Sequence, residues 1–157
     1  MGRTVIGVVG ASSVSAGGYD KARQVGRLLA ERGATLVCGG LGGVMEAACR
    51  GCSEAGGLAV GLLPGGEAGQ ANAYVSLAIP TNMGHARNVI IAHTAQALIA
   101  VEGEYGTLSE MAIALKLGRP VIALDAGYRL EGLAHAATAE EAVRLALESL
   151  GGEGGLS

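Results

Sequence analysis

The sequence contains no tryptophan and no phenylalanine, and tyrosine occurs only four times in 157 residues. Half of the residues are nevertheless hydrophobic, so the core must be built from valine, leucine, isoleucine and alanine. The 28 glycines allow backbone segments to approach one another closely. A chain of this length can form a sizeable core without metals or disulfides. We expect one domain over residues 1–150 and a flexible tail over residues 151–157.

A basic surface is also absent. The net charge is -3, and lysine and arginine are scattered singly, which disfavours nucleic acid and membrane surfaces as partners. The longest apolar segment, residues 88–101, is interrupted by polar side chains and is too short to span a bilayer. Because the first residues do not resemble a signal peptide, a cytoplasmic location is expected.

Cysteine is scarce, and the three that occur, Cys38, Cys49 and Cys52, do not predict a disulfide framework. Cys49 and Cys52 have the C-x-x-C spacing that can bind metal or undergo redox cycling when it opens a helix. Here the pair lies within a predicted helix, and no second pair or nearby histidine pair completes a tetrahedral site. We expect a structural role for these cysteines and no metal site.

Apolar segments alternate with segments of helical spacing along the chain. Predicted strands span residues 4–9, 34–38, 58–63, 75–79, 95–101 and 120–124, and predicted helices span residues 19–32, 44–55, 84–93, 107–117 and 138–150. This alternation is typical of a Rossmann-like, doubly wound α/β fold, with a parallel sheet covered by helices on both faces. Ligands of such folds bind beyond the carboxyl ends of the strands, where the strand order reverses.

Three glycine- or serine-rich turns follow predicted strands and would share that edge of the sheet. Their candidate ligand-binding residues are Gly10, Ser12, Ser13, Gly39, Gly40, Gly42, Gly43, Met45, Gly103, Gly106 and Thr107. Hydroxyl groups, exposed backbone and free N–H groups at helix starts together suit a phosphate group. The alternative interpretation is that these are ordinary turns of a glycine-rich protein.

The third turn also has a purely structural interpretation. Thr107 can be the N-cap of the following helix, and Glu110, three residues later, can complete a capping box. A side chain that caps a helix can still face a ligand, so the two interpretations are compatible.

Two common nucleotide motifs are missing. A dinucleotide site requires G-x-G-x-x-G after the first strand and an acidic residue at the end of the second, where this chain has Gly7-Val8-Val9-Gly10 and then Cys38. A P-loop requires a lysine in a fixed frame, and neither Lys21 nor Lys116 stands in it. We therefore expect no NAD cofactor and no hydrolysis of ATP at a P-loop.

Three segments resemble motifs of one known family. Residues 102–110 are similar to its pattern P-G-G-x-G-T-x-x-E, with Glu102 in place of the proline and Glu104 in place of the second glycine. Residues 39–45 resemble its G-G-x-x-G-x-M segment, and residues 83–88 resemble its M-x-x-R-K helix start, with one residue more between Met83 and Arg87. On these motifs most of the chain resembles the Lonely Guy proteins, long described as lysine decarboxylase-like, and their relatives the molybdenum cofactor carrier proteins.

The resemblance implies a Rossmann-like homodimer or higher homo-oligomer, whose enzymatic members hydrolyse the N-glycosidic bond of nucleoside 5′-monophosphates to base and ribose 5-phosphate. It places Arg87 and Glu110 in the catalytic positions. A carboxylate suits this reaction because it stabilises positive charge on the sugar and activates water. Arg87 can hold Glu110 ionised, bind phosphate or hydrogen-bond the substrate. Nothing in the chain resembles a pyridoxal-phosphate lysine site, so lysine decarboxylation is not expected.

The departures at Glu102 and Glu104 keep two main hypotheses open. A carboxylate about 4 Å from a bound phosphate repels it by roughly 4 kcal/mol per unit charge at an effective dielectric constant near 20. The chain is then either a phosphoribohydrolase or a carrier that holds a phosphorylated ligand, such as molybdenum cofactor or a nucleotide, without turnover. His85 remains either a second acid or base or a residue of the helix start. A third hypothesis is a structural subunit without a ligand.

Overall fold

The structure, a computed structural model, describes residues 2–154, which form one parallel sheet with helices between the strands. The strands are β1 (Val5–Gly10), β2 (Thr35–Cys38), β3 (Ala59–Leu63), β4 (Leu77–Pro80), β5 (Ala97–Val101), β6 (Val121–Leu124) and β7 (Ala134–Ala136). The helices are α1 (Ala16–Glu31), α2 (Val44–Glu54), α3 (Arg87–Thr94), α4 (Tyr105–Lys116) and α5 (Ala139–Gly154). Short 3-10 turns occupy Ala68–Gln70 and Gly84–Ala86.

The strand order is β4-β3-β2-β1-β5-β6-β7, and every neighbouring pair is parallel. The order reverses between β1 and β5, where Gly10 pairs with Val101 at the carboxyl ends of both strands. Helices α1, α2 and α5 pack on one face of the sheet, and α3 and α4 pack on the other. This arrangement confirms the Rossmann-like, doubly wound fold, and it places the crevice for a ligand between β1 and β5.

Burial on both faces explains why the strands are apolar without interruption. In β5, Ile99 packs among α1, α2 and α5, whereas Leu98 packs among α3 and α4. Small residues let the helices pack closely above this sheet. A Cβ added at Gly26 of α1 would lie 1.9 Å from the carbonyl oxygen of Ala48, and one added at Gly51 of α2 would lie 1.9 Å from that of Arg23. The α1–α2 crossing therefore has no room for a side chain at either glycine.

The start of α4 differs from the expected one. The helix begins at Tyr105 and its N-cap residue is Glu104, so the predicted capping box with Thr107 as the N-cap is wrong. The chain turns earlier than the pattern indicated, at Glu102, whose φ is 52°. Thr107 is therefore the third residue of the helix, and it shares one buried face with Glu110 three residues later.

The boundaries of other helices and strands also differ from the predicted ones. Helix α1 begins three residues before the predicted start because Ser15 caps it, accepting a hydrogen bond from the Gly18 N–H. The predicted helix 84–93 begins instead as a 3-10 turn without a side-chain cap, preceded by Asn82 with a φ of 53°, and α3 starts only at Arg87. Strand β7 was not predicted, because its three residues, two of them exposed and the middle one a histidine, give no apolar run.

The end of the chain also differs from expectation. Helix α5 continues to Gly154, beyond the predicted end at residue 150, and the last part of the expected tail, residues 155–157, lies outside the described residues. Within residues 2–154, none of the helices is long and apolar enough to cross a membrane.

Candidate functional site

A cleft of about 280 Å³ opens at the carboxyl edge of the sheet, where the loops after β1, β2 and β5 meet the start of α3. Its lining residues are Val9, Gly10, Ser12, Gly39, Leu41, Met45, His85, Arg87, Asn88, Glu104, Gly106, Thr107 and Glu110. The three turns singled out in the sequence thus converge on one cavity, as the parallel topology requires.

Most of the predicted site residues line this cleft. Those that do are Gly10, Ser12, Gly39, Met45, Arg87, Gly106, Thr107 and Glu110. The predicted residues that do not line it are Ser13, Gly40, Gly42, Gly43 and Gly103. These residues belong to the same turns, so they contribute to the cleft by shaping the path of the backbone and not by lining the cavity.

Gly43 shows what such a backbone role involves. Its φ is 66°, and an added Cβ would lie 2.3 Å from the carbonyl oxygen of Ala11. The next residue, Val44, donates its backbone N–H to the same oxygen at 3.0 Å. Glycine at this position lets the start of α2 bind directly to the loop after β1, which brings two walls of the cleft together.

Arg87 forms the floor of the cleft. It is the first residue of α3, and its guanidinium group lies against Gly39, where an added Cβ would be 1.8 Å from Nη1. Its Nε is buried and has no hydrogen-bond partner among the residues that the structure describes. Burial lowers the pKa of Arg87, while the charges of Glu110 and Cys38 oppose this shift. An arginine side chain remains a cation under these conditions.

Glu110 faces the same cavity from α4. Its side chain is only 8% exposed, and Thr107, one turn earlier on the same face, is 3% exposed. Burial raises the pKa of Glu110 to about 7, and the positive charge of Arg87 opposes this increase. At neutral pH the carboxyl group is therefore divided between its neutral and ionised forms, and it can either donate or accept a proton.

Sequence reasoning missed several lining residues. Asn88 is the clearest case, because its side chain is 7% exposed and borders the cleft beside Arg87. It stands directly after the arginine, where the family pattern has a lysine, and that departure was the available signal. His85 also lines the cleft and is exposed, so its position is compatible with either of its two expected roles.

The two glutamates that depart from the family pattern point in different directions. Glu104 lines the rim of the cleft, and its carboxylate accepts a hydrogen bond from the Ser12 hydroxyl at 3.4 Å. The carboxylate of Glu102 instead accepts hydrogen bonds from the backbone N–H and the hydroxyl of Ser15, at the start of α1. Of these two glutamates, only Glu104 places negative charge directly in the cavity.

The cysteines lie behind the floor of the cleft, in the core. The Sγ atoms of Cys38 and Cys49 are 3.4 Å apart, and the backbone N–H of Gly40 donates to Cys38 Sγ. The hydrogen bond between Cys38 and Cys49, the Gly40 N–H and the charge of Arg87 lower the pKa of Cys38. Burial raises the pKa of Cys52 to about 11. Cys49 thus contacts Cys38, from β2, and both lie in the buried core.

Together, the sheet and the cleft at its switch point define a Rossmann-like protein with a ligand crevice between β1 and β5. The chain belongs to the SLOG cluster4 family, whose sequence model matches residues 3–149. An uncharacterized protein of Archaeoglobus fulgidus is 48% identical to it over 144 residues, which cover 92% of this chain and 95% of the relative.

Two solved structures share the fold closely. The molybdenum cofactor binding protein from the phototrophic bacterium Rippkaea orientalis is 34% identical, with a TM-score of 0.89 over 96% of this chain and 98% of that chain. The Moco carrier protein from Chlamydomonas reinhardtii is 30% identical, with a TM-score of 0.87 over 96% of this chain and 99% of that chain. These similarities confirm the resemblance to the Lonely Guy family and to its molybdenum cofactor carrier-like branch.

Proposed function

We propose that this chain binds a small phosphorylated ligand in the cleft and holds it without turnover, as a carrier for molybdenum cofactor or a nucleotide. The observation that supports this proposal is the cleft itself, where a half-buried arginine, a buried carboxyl group and the start of α4 converge. The similarity in sequence and fold to a molybdenum cofactor binding protein and to a Moco carrier protein supports the same conclusion.

The start of α4 is the proposed position of the phosphate group. The first backbone N–H groups of an α-helix have no partner within the helix, and they carry the positive end of its dipole. Gly106 leaves this start open, since a Cβ added there would meet no atom within 4 Å. Thr107 borders the same cavity, and its hydroxyl can donate to an anion there.

Arg87, Glu110 and Asn88 line the same cavity as the start of α4, and we propose that they bind the rest of the ligand. Asparagine offers both a donor and an acceptor, and a carboxyl group with a pKa of about 7 can act as either. Such a floor suits the polar edge of a heterocycle, which presents donors and acceptors side by side.

Hydrolysis of a nucleoside 5′-monophosphate is the second candidate function. It is favoured by one observation, the presence of Arg87 and Glu110 in the same cleft, with the pKa of Glu110 near neutrality as an acid–base catalyst requires. The carboxylate of Glu104 repels a phosphate beside it by about 4 kcal/mol per unit charge, which would exceed the 0.3 to 1 kcal/mol that a helix terminus typically contributes. The same repulsion acts on the phosphate of a carried ligand, so Glu104 does not by itself separate the two functions.

One experiment separates the two functions. Native protein is purified and its small molecules are identified by mass spectrometry, and the protein is then incubated with AMP while free adenine is measured. A carrier yields a bound phosphorylated compound, and an increase in melting temperature when that compound is restored. Release of adenine at a rate that falls about 10²- to 10⁴-fold in Glu110→Gln would instead establish the hydrolase. If no ligand copurifies and no adenine is released, both proposed functions are contradicted.

We also propose that the protein forms a homodimer or higher homo-oligomer through the uncovered part of the sheet beside α3. The large hydrophobic side chains exposed around this area are Leu77, Ile79, Met83 and Val89. An apolar groove of about 380 Å³ adjoins them, lined mainly by side chains of β2, β3 and α3. Contiguous apolar surface of this kind typically marks an interface between subunits.

Light scattering tests this assembly, because the chain has a mass of 15.5 kDa and a dimer has twice that mass. We expect Ile79→Lys to shift the protein toward the monomer. Leu117→Lys is the matched control, since Leu117 is a comparably exposed side chain at the end of α4. A wild-type protein that is monomeric at high concentration would contradict the proposed assembly.

A further inference from the structure

Two cysteines are in contact behind the floor of the cleft, and the proposed function gives neither of them a role. Cys38 ends β2, Cys49 lies in the middle of α2, and both side chains are fully buried. Their Sγ atoms are 3.4 Å apart. Because the S–S bond of a disulfide is about 2.0 Å long, an approach of about 1.4 Å would join them. Cys52 is equally buried, and among the described residues it has no thiol contact of this kind.

The two thiols differ in how readily they ionise. The backbone N–H of Gly40 donates to Sγ of Cys38 at 3.3 Å. The contact with Cys49, this N–H and the charge of Arg87 lower the pKa of Cys38, although burial opposes the shift. The contact with Cys38 and burial raise the pKa of Cys49. Because the thiolate is the reactive form of cysteine, Cys38 is the nucleophile of the pair and Cys49 is the second thiol within its reach.

A thin wall separates this pair from the cleft. Gly39 follows Cys38 directly in the chain and lines the cleft. It has no side chain of its own, and the atoms nearest to its missing Cβ belong to the ends of the Arg87 and Met45 side chains. Both of these side chains are long and can change rotamer. Their movement would open a path from the cleft to Sγ of Cys38 for a molecule as small as hydrogen peroxide.

We propose that Cys38 and Cys49 are a modification site, at which hydrogen peroxide that enters the cleft forms a reversible disulfide and thereby alters the cleft through α2. This proposal goes beyond the proposed function and does not depend on it, since the reaction needs no bound ligand. Cys52, which has no thiol in contact, stays reduced.

The reaction consumes one peroxide and proceeds in two steps. The Cys38 thiolate attacks one peroxide oxygen, the O–O bond breaks, and the other oxygen leaves as hydroxide, which becomes water after taking a proton. Cys38 is then a sulfenic acid. The Cys49 thiol loses its proton and attacks the Cys38 sulfur, and the S–O bond breaks to release a second water. The two sulfurs have together given two electrons to the peroxide, and a dithiol reductant reverses the change.

The bond would act on the cleft through Met45. Strand β2 is held by hydrogen bonds to β1 on one side and β3 on the other, so the approach of the two sulfurs has to come mainly from α2. Met45 lies four residues before Cys49 on the same face of α2, and it lines the cleft. A shift of α2 toward the sheet therefore moves one wall of the ligand cavity.

The first test is mass spectrometry of the reduced, folded full chain after exposure to hydrogen peroxide. The remaining thiols are alkylated under denaturing conditions before digestion. Trypsin places both thiols of the pair in one peptide, residues 33–50, and Cys52 in the next, residues 51–87. We expect peptide 33–50 to lose about 2 Da and to take up no alkyl group, at a rate about 10-fold or more above the loss of the Cys52 thiol. Dithiothreitol should restore both thiols.

Three variants assign the roles. Cys38→Ser should leave Cys49 free for alkylation, because the nucleophile is gone. Cys49→Ser should accumulate a sulfenic acid at Cys38, which dimedone traps. Cys52→Ser is the matched control, a buried cysteine of the same helix, and it should form the disulfide at the wild-type rate. If a serine variant does not fold, the corresponding alanine variant replaces it, because alanine adds no hydroxyl to the core.

The second test follows the methionine methyl groups of the wild-type protein by NMR, without any ligand. Oxidation should shift the Met45 methyl resonance and leave that of Met111 unchanged, because Met111 lies in α4 and packs on the opposite face of the sheet. Reduction should return the Met45 resonance to its first position.

Three results would overturn the proposal. The first is a folded, peroxide-treated protein whose peptide 33–50 still takes up two alkyl groups. The second is a disulfide that forms only after the chain is unfolded in urea, which would mean that peroxide does not reach the pair through the cleft. The third is a disulfide that leaves the Met45 resonance in place, which would remove the link to the cleft.

Discussion

Glu110 gives the sharpest prediction, because its burial links stability to pH. Its pKa is about 7 in the folded protein and returns to its ordinary value of 4.5 on unfolding. A carboxyl group whose pKa is raised by folding stabilises the protein fully only when the pH is below its pKa in the unfolded chain. This contribution is lost as the pH rises through its pKa in the folded protein. The difference between the two pKa values corresponds to a loss of about 3 kcal/mol in the free energy of unfolding between pH 4 and pH 8. Wild-type stability should therefore fall across this window.

Glu110→Gln removes the titration and keeps the size of the side chain. We expect the variant to be more stable than the wild type at pH 8 by about 3 kcal/mol, and by less than about 1 kcal/mol at pH 5. In a domain of this size, that difference at pH 8 is roughly 6 to 12 °C in melting temperature. Thermal unfolding of both proteins from pH 4.5 to pH 8.5 measures it, and the groups that the two proteins share cancel in the comparison.

A constant difference between the two proteins at every pH would refute this reasoning, because it would mean that Glu110 titrates alike in the folded and unfolded chains. A variant that is less stable at pH 8 than at pH 5, relative to the wild type, would show that attraction to Arg87 outweighs the cost of burial. That result would reverse the order of the two causes that set the pKa of Glu110.

Two further predictions concern glycines at which an added Cβ would meet different kinds of atoms, flexible side chains in one case and backbone in the other. Gly39→Ala should leave the fold intact, because its Cβ would meet the flexible side chains of Arg87 and Met45 and no backbone atom among its nearest neighbours. Displacement of the Arg87 guanidinium should nevertheless weaken binding of a phosphorylated ligand about 10- to 100-fold in calorimetry. Gly26→Ala should instead destabilise the protein by about 1 to 3 kcal/mol in urea unfolding, because its Cβ would meet the backbone of α2. The control is Gly17→Ala, also on α1, where a Cβ would lie in open space. This substitution should be neutral or should stabilise the protein by up to about 1 kcal/mol. Equal effects of the two α1 substitutions would contradict the close crossing of α1 and α2.

The fold was predictable because its strongest signals are local and repeated. A strand buried on both faces has to be apolar throughout, as β5 is, and a chain that alternates such strands with helices has few arrangements open to it. The convergence of three turns on one cleft follows from the same topology. The membership of Gly10, Gly39 and Gly106 in that cleft was therefore expected from the sequence.

Contacts between distant segments were not predictable from local patterns. Thr107 and Glu110 have the spacing of a capping box, and only the turn at Glu102 shows that the helix has already begun. The direction of the Glu102 side chain depends on Ser15, which lies 87 residues away in the chain. Asn88 was overlooked because its departure from the family's lysine does not reveal that the side chain is buried, and this burial results from the packing of α3.

The protonation of Glu110 also connects the two candidate functions. An anionic group that binds beside a buried carboxyl group favours its neutral form, so ligand binding should raise the pKa of Glu110 further above 7. The bound state then contains a hydrogen-bond donor at this position, and a neutral carboxyl group cannot act as a general base. That outcome favours retention of the ligand over hydrolysis.

Such coupling requires the protein to take up a fraction of a proton when it binds an anion at pH 7.5. Calorimetric titration with AMP in two buffers of different ionisation enthalpy measures this number, and Glu110→Gln corrects for protons taken up by the phosphate itself. We expect greater uptake in the wild type than in the variant. Equal uptake in both would mean that Glu110 keeps its charge beside the bound anion, and an ionised carboxylate held next to the substrate is the state that the hydrolase requires.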